Sequence, residues 1–359
     1  MTTKAAKSEH PKPMNLKGLA DYLGLSPATI SLVMNNAPGA KSIPAKTRQR
    51  VLDAAKKCNY RPNAQARSLR LRQTLTVGVI VPEFSEGYFT MLMNGIEEYL
   101  LQSGYLHFVV SHQGKRDLID EYPTLLTQRA VDGLLLVNTS LNQEVLAPVV
   151  SVSGHKVLRG VTNVQMDHDR AAMLALKHLY DLGHRRVAFM KGQPHALDSE
   201  SRWKGILSMA RNVGLVIDED LCVYLEVNSW SPELGYPPVR NLLDRTRDFT
   251  AIFCFNDIAA IGAIRAIADC GLRCPEDISV IGFDDIASAA YHVPRLTTVR
   301  QPLRRMGEVA VQILLKRIEN PDEPYPDAIM FEPELMVRES TAPVFKASRR
   351  GGSKYAHGA

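Results

Sequence analysis

Two sets of residues in this 359-residue chain have types and spacings that can do chemistry. The first is cationic. Residues 1–75 hold 14 Lys/Arg against three acids, Glu9, Asp21 and Asp53, a balance of +11 in a chain whose total is +5, so the remainder sums to −6. Positive charge gathered at one end is the electrostatic footprint of a polyphosphate partner. Within that region, the run LADYLGLSPATISLVMN offers small hydroxyl and apolar groups at consecutive positions. Hydroxyls contact phosphate oxygens, and apolar tips meet base edges such as the thymine methyl. Thr29 and Ser31 are therefore the expected phosphate contacts, and Pro27, Ala28 and Leu32 the expected base contacts. The second set lies where apolar runs end: Pro82-Glu83-Phe84, Ser111-His112, Asn138, Gly192-Gln193, Asn256-Asp257 and Phe283-Asp284-Asp285. Open α/β sheets bind ligands beyond the carboxyl ends of their strands. A polar ligand in a closed cleft needs fixed donors and acceptors with flat apolar faces beside them. Asn256, Asp257 and Asp284 supply the polar groups, and Tyr88, Phe89 and Trp230 the faces.

The elements that must hold the first set are helices. Apolar residues recur at helical spacing through residues 15–60. A first helix is expected from Leu16 to Tyr22, with Leu16, Leu19 and Ala20 inward, ended by Gly24. Ser26 has the chemistry of an N-cap and Pro27 that of a first helical residue. The second helix, Pro27 to Asn35, buries Ile30, Val33 and Met34 and turns Pro27, Ala28, Thr29, Ser31 and Leu32 outward. This is a helix-turn-helix, whose second helix enters the major groove N-terminus first. Its unpaired N–H groups favour a phosphate. A third helix, Ala45 to Cys58, is expected to bury Val51, Leu52 and Ala55 and expose Lys46, Arg48, Arg50, Lys56 and Lys57. Leu16, Ser26, Asn35, Thr47 and Tyr60 complete the candidate DNA contacts within this domain. Residues 1–14 read as a disordered basic arm. Residues 61–74 contain AQARSLRLR, a helix too short to stand alone, which folds when DNA is bound.

The second set requires a doubly wound sheet. LTVGVIVPE, LHFVVSH and VDGLLLVN read as buried strands, separated by the amphipathic helices FTMLMNGIEEYLLQSGY and DLIDEYPTLLTQRA. The pattern restarts after Asp167 with AAMLALKHLYDLGH, RRVAFMKG, ESRWKGILSMARNVG, LCVYLEV, PELGYPPVRNLLDR, AIFCFN, DIAAIGAIRAIADCG and ISVIGFDD. Alternation of this kind argues for parallel sheets. The weak two-fold repeat suggests two lobes facing across a cleft, with segments after Leu296 crossing back between them. Met14, Met34, Met91, Met93 and Met209 read as packing residues.

At this point the chain resembles the lactose-repressor/galactose-repressor (LacI/GalR) family. LADYLGLSPATISLVMN resembles its reading helices and NYRPNAQARSLR its hinge helix. The resemblance implies a helix-turn-helix domain (15–60), a hinge (61–74) and a periplasmic-binding-protein-like effector and dimerisation domain (75–343) with two doubly wound parallel-sheet lobes. It implies a homodimer on a pseudo-palindromic DNA operator, with no metal and no cofactor. The hinge would place Asn63, Arg67 and Leu69 at the minor groove, Leu69 as the wedge that kinks it. Effector contacts carried over by motif are Arg202 in SESRWKG, Trp230 in NSWSPELG, Asp284 in VIGFDD and Gln301 in LTTVRQP, beside Phe84, Tyr88 and Phe89. A sugar is the implied effector, a nucleoside the second class. Asp198 stands where some purine-binding members carry a small polar residue, which disfavours a purine. Family members often read T-V-S-R in the reading helix. Here Leu32 replaces the arginine suited to guanine, and leucine offers only apolar contact.

Other classes find little support. The five cysteines, at 58, 222, 254, 270 and 274, are scattered and lack zinc spacing, as expected of reduced cytoplasmic thiols. The N-terminus has no apolar run of the signal-peptide kind, and no membrane partner is expected. Phosphate-cradling, HExxH and GxSxG motifs are all missing, so an enzyme is not expected. Residues 344–359 read as a disordered basic tail.

Overall fold

The computed structural model describes residues 14–60, 73–84, 87–141, 145–154, 159–193, 197–225 and 231–344. The expectations for the N-terminal arm, for Asn63, Arg67 and Leu69, for Trp230 and for the tail beyond 344 lie outside the described residues. The chain divides into two compact units, Met1–Thr74 and Leu75–Ala359.

The first unit contains α1 (Leu16–Leu23), α2 (Pro27–Met34), a short 3-10 turn (Pro38–Ser42) and α3 (Ala45–Lys57). Asn15 Oδ1 accepts from the Gly18 N–H at 2.8 Å and starts α1. Gly24, at φ 63, ends it in the left-handed region where a side chain would be strained. Ser26 Oγ then accepts from the Thr29 N–H at 3.1 Å and starts α2. Leu19, Leu23, Ile30, Val33, Val51, Ala54 and Ala55 form the core, with Leu16 and Met34 packed against it. Two expectations are corrected here. Leu52 is 45% exposed, because Val51, Ala54 and Ala55 already define the i, i+3, i+4 face of α3. Arg48 is half-buried rather than exposed, its Nη1 donating to the Ile43 carbonyl at 2.7 Å; Arg50 is exposed as expected, and its Nη2 donates to the Leu23 carbonyl at the end of α1.

The second unit holds two six-stranded sheets. The first lobe contains β1 (Thr76–Val81), α4 (Tyr88–Gln102), β2 (Leu106–Ser111), α5 (Arg116–Gln128), β3 (Gly133–Val137), β4 (Val149–Val152) and β5 (Thr162–Met166). The second contains α6 (His168–Asp181), β6 (Val187–Lys191), α7 (Leu197–Val213), β7 (Cys222–Tyr224), α8 (Tyr236–Arg245), β8 (Ala251–Phe253), α9 (Asp257–Asp269), β9 (Ser279–Asp284) and β10 (Thr297–Arg300). The chain then returns to the first lobe through α10 (Leu303–Glu319) and β11 (Ala328–Phe331), and β12 (Glu334–Met336) closes the second sheet. The strand orders are β11-β5-β4-β3-β1-β2 and β12-β10-β9-β8-β6-β7. Among the described residues only β12 runs antiparallel, against β10. Neither lobe is continuous in sequence, as expected of the segments after Leu296. No strand is expected between VDGLLLVN and Asp167, yet β4 and β5 lie there.

The central strands are covered on both faces, which is why β3 and β4 are buried along their whole length. The helix pair α4–α10 packs closely. A Cβ on Gly95 would lie 2.0 Å from the Arg304 carbonyl oxygen, and one on Gly307 would lie 2.4 Å from that of Leu92. The five methionines named above all pack against one of the apolar cores. Among the described residues no helix is long and apolar enough to cross a membrane.

Candidate nucleic-acid interface and effector cleft

In the first unit, α2 exposes Pro27 and Ala28, with Thr29, Ser31 and Leu32 half-exposed. Ser26 Oγ and Thr29 Oγ1 are 2.8 Å apart, so the cap and the expected phosphate contact share one hydroxyl pair. Asn35 caps the other end, with Nδ2 donating to the Ser31 carbonyl at 2.8 Å. Thr47 lies half-exposed in the first turn of α3, and Tyr60 packs against the small core. Burial of that ring pushes the Tyr60 phenol above its ordinary pKa. Lys17, Lys41, Lys46, Lys56 and Lys57 are exposed. The surface offers hydroxyls, apolar tips and ammonium groups, the combination that phosphate positioning and groove contact use.

In the second unit the polar groups converge where β3, β4 and β9 end and α4 and α7 begin. Arg202, in the second turn of α7, is 4% exposed. Its Nη2 donates to Asp198 Oδ2 at 2.7 Å, one turn earlier on the helix, and its Nη1 donates to the Phe255 carbonyl. The guanidinium lies 3.7 Å from the Phe283 ring centroid and 4.4 Å from that of Phe255. Among the described residues its buried Nε has no hydrogen-bond partner. From the other lobe, Asn138 Nδ2 approaches Asp198 Oδ1 at 3.5 Å. Asp284 ends β9 at φ 113 and is 4% exposed. Gln301 Nε2 donates to its Oδ1 at 2.7 Å. Burial pushes the Asp284 carboxyl up to about 7; Arg202 and Gln301 oppose the rise and Asp198 adds to it. Tyr88 opens α4, its hydroxyl 2.8 Å from Ser153 Oγ at the end of β4. Burial, followed by the field of Asp198, pushes that phenol well up, and Asp284 and Arg202 also act on it. Tyr88, Asp198, Arg202, Asp284 and Gln301 thus form one electrostatic cluster.

Four expected residues do not join it. Phe84 is 70% exposed. Phe89 is buried in the first-lobe core and meets Tyr88 edge-on at 4.9 Å. Asn256 is the N-cap of α9, its Oδ1 accepting from the Ala259 N–H at 2.9 Å. Asp257 is fully buried and already satisfied: Thr298 Oγ1 donates to Oδ1 at 2.5 Å and the Ile286 N–H to Oδ2 at 2.9 Å. Its role is to tie the turn after β9 to β10. Asp285 likewise brackets the fold, accepting from Arg300 Nε at 2.7 Å and Arg338 Nη2 at 2.6 Å. Sequence reasoning overlooked Ser153, because β4 was not expected and its strand end went unread. The Asp198–Arg202 pair was legible in principle from its i, i+4 spacing.

A helical DNA reader in one chain with a two-lobed α/β body, polar at its strand ends, defines a ligand-responsive gene regulator. Residues 15–63 match the model of bacterial regulatory proteins of the lacI family, and residues 176–341 match a periplasmic binding protein-like domain. The HTH-type transcriptional repressor PurR of Haemophilus influenzae is 33% identical over 90% of this chain and 98% of its own length. PurR of Aliivibrio fischeri is 32% identical over 90% of this chain and 97% of its own length. The lac repressor dimer, solved bound to operator and the anti-inducer ONPF, superposes with a TM-score of 0.79 at 27% identity, covering 92% of this chain and all of that one. A LacI family regulator from Enterococcus faecium with bound ribose gives 0.67 at 30% identity, covering 75% of this chain and 100% of its own. The chain belongs to the lacI family of bacterial regulatory proteins. It is a DNA-binding transcriptional repressor under effector control, and not an enzyme.

Proposed function

We propose that a small hydroxyl-rich effector, a sugar or sugar derivative, binds in the interlobe cleft against Tyr88, Asn138, Arg202, Asp284 and Gln301, and thereby changes operator affinity. The observation that carries this is the cluster of unlike polar groups drawn from both lobes, in which the buried Nε of Arg202 has no hydrogen-bond partner among the described residues. Buried polar atoms in native proteins are nearly always paired, so an orphan at strand ends marks a place for a ligand or water. The E. faecium relative holds ribose, and another relative, the regulator CelR, is solved in complex with cellobiose. Nucleosides, which carry the same hydroxyls, are the second class.

The DNA contacts of this reading are Leu16, Ser26, Pro27, Ala28, Thr29, Ser31, Leu32, Asn35, Thr47 and Tyr60, with Asn63, Arg67 and Leu69 in the hinge. The protein acts in the cytoplasm as a homodimer on a pseudo-palindromic operator, because two-fold protein symmetry is mirrored in the site. Cleft closure changes the spacing of the two readers, a coupling typically worth about 1–3 kcal/mol.

The test is fluorescence anisotropy on promoter DNA, titrated against sugars and nucleosides at constant salt, because phosphate contacts make affinity steeply salt-dependent. One compound should shift the binding curve. Asp284→Ala should erase that shift while leaving the unliganded affinity unchanged. A normal dose-response in the variant would remove the cleft from consideration.

A further inference from the structure

We infer that the cleft accepts uncharged or cationic hydroxyl-bearing ligands and rejects anions such as phosphorylated, sulfated or carboxylated sugars, and that Asp198 is the residue that sets this selectivity. The inference rests on the cleft being the effector site and goes further by fixing the charge class of the ligand.

The state of Arg202 carries the argument. An arginine recognises an oxyanion through two parallel N–H groups of its fork. Here each terminal nitrogen already spends one of its two N–H groups, Nη2 on Asp198 Oδ2 and Nη1 on the Phe255 carbonyl. Two phenyl rings, Phe283 and Phe255, lie within 3.7 and 4.4 Å of the guanidinium carbon. Three of the five N–H groups remain, one on each terminal nitrogen and the one on Nε, which has no partner among the described residues, but the positive charge that would hold an oxyanion is already paired with Asp198. An anion could take the charge of the guanidinium only by displacing Asp198, which is 6% exposed. That would leave a buried carboxylate without its cation, a strongly unfavourable state.

The charge balance points the same way. Asp198 and Asp284 face one guanidinium, so the cluster is net negative whenever Asp284 is ionised. Asp284 is left without a cation of its own: Gln301, a neutral amide, donates to Oδ1, and Oδ2 takes no hydrogen bond among the described residues. That oxygen invites a hydroxyl or an ammonium group and repels an anion. A chain with a small neutral residue at position 198 would present the fork open.

The experiment uses the full-length protein and the variants Asp198→Asn and Asp198→Ser. The first keeps an acceptor for Nη2 but removes the charge, and the second frees the fork. Thermal shift and calorimetry follow four probes at constant ionic strength: ribose, glucosamine, glucose 6-phosphate and sulfate. Sulfate makes the outcome independent of the natural effector. Sulfate should leave wild type unmoved and stabilise both variants, with affinity raised about tenfold or more, the factor expected for one added charge-assisted contact. Glucose 6-phosphate should follow sulfate, and glucosamine should bind wild type better than either variant. Sulfate or glucose 6-phosphate binding wild type as tightly as the variants would overturn the inference. So would two folded variants that remain blind to both anions. Failure of the effector-site reading has a different signature, an operator response that survives Asp284→Ala.

Discussion

At the scale of single residues, two acids of the same type at neighbouring strand ends have opposite fates. Asp257 is spent on Thr298 and the turn at Ile286. Asp284 is held by Gln301 and faced by Arg202, Asp198 and Tyr88. Because burial raises the Asp284 carboxyl to about 7, the folded chain holds that proton more tightly than the unfolded one. Its contribution to stability is complete below the ordinary carboxylate range and is lost as pH rises through about 7. Asp284→Asn, which can still accept from Gln301, should therefore stabilise the unliganded protein increasingly from pH 5 to 8. The gain should reach the order of 1–4 kcal/mol at the alkaline end. Melting curves across that range check it, and a pH-independent difference between variant and wild type would refute the assignment. Leu32 poses the other residue-scale question. It covers Gly39 closely enough that a Cβ there would sit 3.3 Å from its Cδ2, so the side chain both packs and faces outward. Leu32→Arg should shift operator preference at one position towards G·C. Selection of both proteins on a random operator pool decides this; identical base preferences would count against Leu32 as a base contact.

At the scale of elements, α10 connects the lobes. It enters from β10 in the second sheet, packs on α4 of the first, and delivers β11 to the first sheet. Gly95 and Gly307 let the two helices approach to backbone contact. Gly95→Ala would force a Cβ to 2.0 Å from the Arg304 carbonyl oxygen, which cannot yield as a flexible side chain can. The expected cost is about 1–3 kcal/mol or more, the range for overpacking a tight site. Urea denaturation should show a lower midpoint at unchanged slope. A variant as stable as wild type would mean that this helix pair separates freely.

At the scale of the whole molecule, the first-lobe sheet ends on β2, an edge strand that exposes Leu106 (72%) and Phe108 (51%). Leu101, at the end of α4, is exposed as well (73%). Large apolar groups on an edge strand are a liability in a monomer and fit an interface between copies. Phe108→Glu should therefore weaken self-association, seen as a lower mass in sedimentation at micromolar concentration. Operator affinity should fall with it, since one reader alone lacks the avidity of two. A variant that remains fully dimeric would move the interface elsewhere on the surface.

The parts of this protein that are local in origin were readable from its sequence. Caps, turn glycine and helical spacing act within a few residues, so α1, α2 and α3 stand within a residue of the expected ends. Continuous apolar runs marked β1 and β3 because a strand covered on both faces needs no polar alternation, and the apolar run of β2 marked a strand that lies half-exposed at the sheet edge. The +11 segment fixed the partner class for the same reason: charge is additive along the chain. Tertiary structure alone decided the rest. β4 and β5 become strands because β3 waits beside them, and four or five residues cannot announce that by themselves. Leu52 lies outside and Ala54 inside because α1 and α2 choose which face of α3 is covered. Which of Asp257, Asp284 and Asp285 faces the cleft depends on Thr298, Ile286, Arg300 and Arg338, partners up to 53 residues distant that only the folded sheet brings near. The same holds for Arg202, whose motif was visible but whose burial beside Phe255 and Phe283, with its charge paired to Asp198, emerges only in the folded lobe.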